Sequence, residues 1–300
     1  MLETLYSIVP KELFEDITVF AIPIYVALIA IEVVINSLKK LRLYKFQDSA
    51  ACITTGIVAV LVGGVTKVLA FLAFSWLYSL RVFDLNSHLW VYWIILFFAD
   101  DFSFYWHHRA SHEVRVLWAA HNCHHSSQQM NLTVALRQSW AELCYKYVFW
   151  MWLPLVGFHP LHILLFMAIS PVYQFFPHTQ LVPKLGPLEW LLNTPSHHRV
   201  HHASNLKYLD KNYGGILIIW DRLFGSFQEE DENEPCVYGI LHNIESYNPL
   251  TIEFHEFGNL WRDLKSTPSW SDKFKYLFYP PGWRHDGEDQ TVRTLRKMSG

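Results

Sequence analysis

Three short histidine clusters constrain this chain more than any other feature: His108-Arg-Ala-Ser-His112, His121-Asn-Cys-His124-His125 and His198-Arg-Val-His201-His202. The first is an H-x3-H, and the other two are H-x2-HH. On a helix, residues three and four apart share a face, with Cβ atoms about 5–6 Å apart. Each cluster can therefore aim two or three imidazoles at one point. Of seventeen histidines, thirteen fall between His107 and His202, so the fold is expected to gather this stretch. A lone histidine is more often structural than ligating, and that reading applies to His88, His159, His162, His242, His255 and His285. His107 and His197 are doubled neighbours pointing off the shared face, expected beside a site rather than in it.

The eight histidines of the clusters exceed the needs of one metal. A single catalytic zinc takes three protein ligands and keeps a fourth position open, whereas two metals with open positions use the whole set. His178, with Gln174 four residues earlier, can add one more ligand. Imidazole suits zinc, iron, copper and nickel alike, so the residues leave the metal open. Ligating histidines usually pass their other N–H to a carboxylate or carbonyl. Asp100, Asp101 and Glu113 flank the first cluster; Asn193 precedes the third, and Asp210 and Asn212 follow it. Asp101 lies two helical turns before His108, on the same face, and an acid at a membrane edge is costly unless paired. Asp100 is explained as readily by solvating a helix end. Asp101, Glu113 and Asn212 are the candidate polar residues of the catalytic machinery.

The apolar runs set the architecture. Val19 to Leu38 is about long enough for one helical span. Lys39, Lys40, Arg42 and Lys45 follow it, which predicts a cytoplasmic loop. Glu32 sits toward one end of this run, where it is expected to reach the interface. Ala50 to Leu80 is too long for one straight span and carries Gly63-Gly64 and Lys67, which predicts a bent or broken helix. A third span is expected at His88 to Phe98. Tyr145 to Phe176, with Gly157, His159 and Pro160 at its centre, predicts a helical hairpin that returns Gln174 and His178 to the catalytic side. The fold expected is all-α: a polytopic membrane protein with about three spans, a re-entrant helical hairpin and a cytosolic, helical, histidine-rich metal domain. Residues 1–106 would hold the spans, 107–228 the metal region including the hairpin 145–176, and 229–300 a cytosolic lobe with Trp- and Phe-rich segments on the membrane surface.

Composition agrees: 17% of residues are charged, against about 25% for a soluble domain. A net charge of −3 carries no nucleic-acid footprint. Cys52, Cys123, Cys144 and Cys236 lie far apart with no CxxC, which predicts free thiols in a reduced, cytosol-facing part. The mixed start, MLETLYSIVPKELFEDI, predicts no cleavable signal peptide.

The stretches DFSFYWHHRASHE, HNCHHSSQQMNLTVALRQS, GPLEWLLNTPSHHRVHHASN and DKNYGGILIIWDRLFGSF cover roughly residues 100 to 228. Through them the chain resembles the fatty acid hydroxylase superfamily of membrane di-iron enzymes, which includes sterol desaturases and lipid hydroxylases. The resemblance implies His108, His112, His121, His124, His125, His178, His198, His201 and His202 as metal ligands, and Asp101 and Glu113 at acidic positions of the motif. It implies two iron ions and an oxygenase that hydroxylates a lipid C–H bond with dioxygen and an external reductant. That reductant is a tetrahydropterin or a separate cytochrome- or ferredoxin-type carrier, because no fused cytochrome-like or flavin segment is legible. Ether-bond cleavage of alkylglycerols is one form of this chemistry; sterol or fatty-acid hydroxylation or desaturation is another. A zinc-dependent membrane hydrolase would use a similar imidazole set but needs fewer histidines. A metal transporter would hold its site near the bilayer midplane, whereas these clusters follow the spans and face the cytoplasm.

Overall fold

Helix α1 (Ile17–Lys39) and helix α2 (Phe46–Ser79) carry the two stretches, Phe20–Lys39 and Phe46–Ser79, that are long and apolar enough to cross a membrane. The computed structural model describes residues 17–299, so the expectation about the leading segment, residues 1–16, lies outside the described residues. Phe20, Ile24 and Val26 of α1 and Ile57, Val60, Leu61, Val65 and Leu69 of α2 have their side chains exposed. Such a surface is stable against lipid and costly against water.

Helix α2 is one continuous helix of 34 residues, not a broken one. A glycine inside a helix costs only about 1 kcal/mol relative to alanine, too little for Gly63-Gly64 to interrupt so long an apolar run. Glu32 departs from expectation as well. It is 2% exposed and accepts from Tyr44 Oη at 2.5 Å, the Leu132 amide at 2.8 Å and the Thr179 hydroxyl. It therefore ties α1 to two segments within the histidine-rich region, one after the second cluster and one directly after His178.

Helix α3 (Trp90–Glu113) begins apolar and ends in the first histidine cluster. Only its first half is apolar, so it does not join α1 and α2 by length and composition. Val114, in an extended conformation, turns the chain into α4 (Arg115–His125). Short helical turns then lead through Glu142–Tyr145, Lys146–Trp150 and Trp152–Val156 to α5 (Pro160–Phe175). The expected hairpin is present, with a first arm of broken turns. Its reversal uses Gly157 at φ +124, a conformation that disfavours any side chain. Tyr92 Oη accepts the His159 amide at 3.0 Å and contacts His162 Nδ1 at 2.9 Å. The hairpin tip thus docks on Tyr92 near the start of α3, about 24 Å from His108 at 1.5 Å per residue. Phe71, Phe74, Leu96, Trp150, Leu153 and Ile163 fill the core between these elements.

Beyond the hairpin lie α6 (Pro195–His201), α7 (Ile219–Phe224), α8 (Pro249–Ser266), α9 (Trp270–Phe278) and α10 (Val292–Ser299). Among the described residues there is no strand, only two isolated bridges, Leu192 to Leu217 and Ala203 to Tyr238. Ala119 of α4 shares a core with Leu260 of α8 and Tyr276 of α9, so the C-terminal segment packs on the histidine-bearing helices. All four cysteines are free.

Candidate metal centre

Two faces of the same helices build the site. The buried His108, His112, His121, His125 and His201 form one group, and His124, His178, His198 and His202 a second; within each group the ligand nitrogens lie within 4.8 Å of one another. The geometry explains the H-x2-HH spacing. In α4, His121 and His125 (i, i+4) face one group, and His124, rotated off that line, faces the other. The third cluster reverses the assignment: His198 and His202 join the second group, and His201 joins the first. Each H-x2-HH therefore serves both groups. His178, arriving from the hairpin, completes the second.

The donor chemistry fits a cation. His108, His124, His178 and His201 point Nδ1 at the carbonyls of Tyr213, Arg137, Gln174 and Lys211, at 2.8, 2.9, 2.7 and 2.9 Å. A carbonyl only accepts, so each Nδ1 carries the proton and each Nε2 holds a bare lone pair. Yet the Nε2 atoms face one another: His108 to His121 at 3.1 Å, His125 to His121 at 3.2 Å, His178 to His124 at 3.3 Å and His198 to His178 at 2.9 Å. In the His108–His121 and His178–His124 pairs both Nδ1 atoms already face acceptors, so both Nε2 atoms are bare and repel at that separation unless a shared cation draws them together. Nε2 of His112 and of His201 is buried with no hydrogen-bond partner. Burial, reinforced by neighbouring imidazoles, brings His124 down to about 4 and His201 to about 3. The same causes hold His125, His198 and His202 well below the usual 6.5. The rings are therefore neutral, the form that binds metal.

Behind the first group stand two carboxylates. Glu142 Oε2 accepts from His121 Nδ1 at 2.8 Å, and its Oε1 lies 3.5 Å from His107 Nε2. Although burial opposes it, interaction with His121, which hydrogen-bonds it, and with His107 draws Glu142 down to about 2. Asp210 lies 3.6 Å from His112 Nδ1. Sequence reasoning named Asp210 but missed Glu142, whose only signal is an isolated acid at the entrance to an apolar, aromatic stretch.

The other expected residues stand further from the imidazoles. Asp101 accepts from the Ile216 and Leu217 amides at 2.8 and 3.1 Å and from Trp220 Nε1 at 2.9 Å. It fixes the turn that follows Tyr213, whose carbonyl faces His108. Asp100 does not solvate a helix end; it is buried and accepts from Trp150 Nε1 at 2.7 Å. Glu113 pairs with Arg109 Nε at 2.9 Å on a partly exposed surface. Asn212, buried at φ +57, donates to the His197 and Gln228 carbonyls at 3.0 and 2.7 Å. That holds the loop whose Lys211 carbonyl meets His201. Asn193 reaches the Gly214 carbonyl at 2.5 Å. His107 and His197 join neither group. Gln174 turns its side chain to Ser170 and offers only its carbonyl to His178.

Residues 93–226 match the family model described as fatty acid hydroxylase. Across 266 residues, 88% of this chain and 59% of the relative, it is 38% identical to human alkylglycerol monooxygenase. The Xenopus tropicalis alkylglycerol monooxygenase is 44% identical over 196 residues, 65% of this chain and 43% of the relative. An ornithine lipid hydroxylase of Rhizobium tropici is 31% identical over 174 residues, 53% of this chain and 50% of the relative. The chain spans about half the length of the curated relatives it matches. No solved structure matches it.

Proposed function

We propose that this chain is a membrane-bound di-iron oxygenase that hydroxylates a C–H bond of a lipid, using dioxygen and an external reductant. The observation that carries the reading is the pair of imidazole groups with facing, unprotonated Nε2 atoms. A bound metal pair supplies the redox chemistry that dioxygen activation needs. The five-histidine group would hold one ion and the four-histidine group the other. The chain's own work is orientation: peptide carbonyls and Glu142 fix ring tautomers, and Asp101 and Asn212 hold the loops that present those carbonyls. Glu113 orients Arg109 toward Tyr105 and the Phe224 carbonyl.

The relatives named alkylglycerol monooxygenase favour an ether lipid. Insertion of one oxygen atom beside the ether oxygen, with two electrons and two protons reducing the other atom to water, gives a hemiacetal. Its collapse releases an aldehyde and a glycerol, with no further reductant.

The basic loop after α1 supports a cytoplasmic centre. The Asn131 side chain donates to the Leu43 carbonyl at 2.7 Å, so that loop and the histidines lie at one end of the helices, and basic loops face the cytoplasm. On α8 and α9, Phe254, Trp261, Trp270 and Phe274 are exposed, with Lys265 over Trp261 and Lys273 over Trp270. This pairing suits a helix lying on an anionic bilayer surface.

The test is oxygen uptake by the purified chain in lipid bilayers, supplied with an alkylglycerol and either reduced pterin or a reduced electron carrier. Aldehyde formation coupled to oxygen consumption is expected. Lipid hydrolysis without oxygen uptake, by a zinc-loaded chain, would replace this reading with a hydrolase.

A further inference from the structure

A buried arginine links one of the candidate membrane helices to one histidine group. Arg137 is 1% exposed. Its Nε donates to Cys52 Sγ at 3.2 Å, one terminal nitrogen to Ser126 Oγ at 2.9 Å, and the other to the Asp48 carboxylate. Asp48 lies in the first turn of α2 and also accepts from Ser127 Oγ at 2.7 Å. Ser126 and Ser127 directly follow His125 at the end of α4. The Arg137 carbonyl accepts from His124 Nδ1 at 2.9 Å. One residue thus grips the start of α2, grips the end of α4 and orients a histidine of the four-histidine group. Backbone contact reinforces the grip: at Gly56 of α2 an added Cβ would lie 2.7 Å from the Leu136 carbonyl oxygen. Only a glycine lets α2 lie against the turn that carries Arg137.

The five-histidine group is held by other means. The far nitrogens of His108 and His201 meet the Tyr213 and Lys211 carbonyls, and those of His121 and His112 face Glu142 and Asp210. None of these partners belongs to α2.

Resting on the two-metal reading above, we infer that Arg137 and Asp48 are positioning residues for the four-histidine position, coupling its metal occupancy to the seating of α2. A buried ion pair is weak evidence for stability, because apolar replacements often serve as well. A guanidinium whose nitrogens reach a thiol, a hydroxyl and a carboxylate on two elements instead sets geometry.

The experiment counts iron per chain and records its Mössbauer spectrum for wild type, Arg137→Met, Arg137→Lys and the double variant Asp48→Asn/Arg137→Met. Each is expressed full-length and purified in bilayer discs. Wild type should hold about two irons, and Arg137→Met about one, with the five-histidine signal unchanged. Arg137→Lys should retain more than Arg137→Met. The double variant relieves any unpaired buried charge, so it should fold and still hold about one iron. Two irons in the double variant would reduce the pair to charge compensation, and loss of both irons would remove the selectivity; either overturns the inference. Iron-free wild type would overturn the metal reading itself.

Discussion

The two histidine groups differ in what stands behind their rings. In the five-histidine group, the ionised Glu142 backs His121 at 2.8 Å and Asp210 lies 3.6 Å from His112, beside two peptide carbonyls. In the four-histidine group, His124 and His178 meet the carbonyls of Arg137 and Gln174, and His198 Nδ1 is buried without a partner. A carboxylate raises imidazole basicity more than a carbonyl does. A carbonyl's position, in turn, depends on the backbone that carries it. The first group is accordingly tuned by charge and the second by the packing of α2 and the hairpin. The five-histidine position should bind metal more tightly, and the four-histidine position should respond more to membrane-facing contacts.

The largest effect should come from acidifying the metal-free protein, where the comparison breaks down because both groups share one cause. Folded-state pKa values of about 4 for His124 and about 3 for His201 lie below the ordinary 6.5. The unfolded chain then binds more protons than the folded one below pH 6.5. Stability present above that pH is lost as the pH falls toward 4 and then 3. The melting temperature of the metal-free protein should drop through that window, and the metal-loaded protein should resist. A flat profile in both forms would contradict buried, neutral imidazoles.

Glu142→Gln sharpens the comparison. It should weaken metal retention at the five-histidine position about 10–100-fold, read by chelator competition, and leave the other position unchanged. Equal weakening of both would mean that the groups are not separately tuned. Asp210→Asn should do less, under about tenfold, because 3.6 Å exceeds a hydrogen bond. If it matched Glu142→Gln, distance to the carboxylate would not be the controlling variable.

Much of the site was legible because ligand spacing is a local property. Nine histidines read from helical periodicity and family resemblance are the nine that converge. Their division between groups was not legible: whether His201 or His198 joins a given set depends on how α6 faces α4, which no local pattern encodes. Glu142 was missed because it reaches back from the next segment to His121, 21 residues away in sequence. Asp101 sits on the histidine-bearing helix as its spacing suggested, but it bonds to amides 115 and 116 residues downstream. Glu32 was read as an interfacial acid because composition locates the edge of an apolar run. Its Thr179 partner, 147 residues away, appears only in the folded chain.

The most direct test of the account is Mössbauer spectroscopy of the full chain loaded with isotopically enriched ferrous iron, with iron and zinc counted on the same sample. The account predicts about two irons per chain in two inequivalent environments of equal weight, one for each histidine group. A single iron environment at about one ion per chain, or stoichiometric zinc that ferrous iron does not displace, would contradict it.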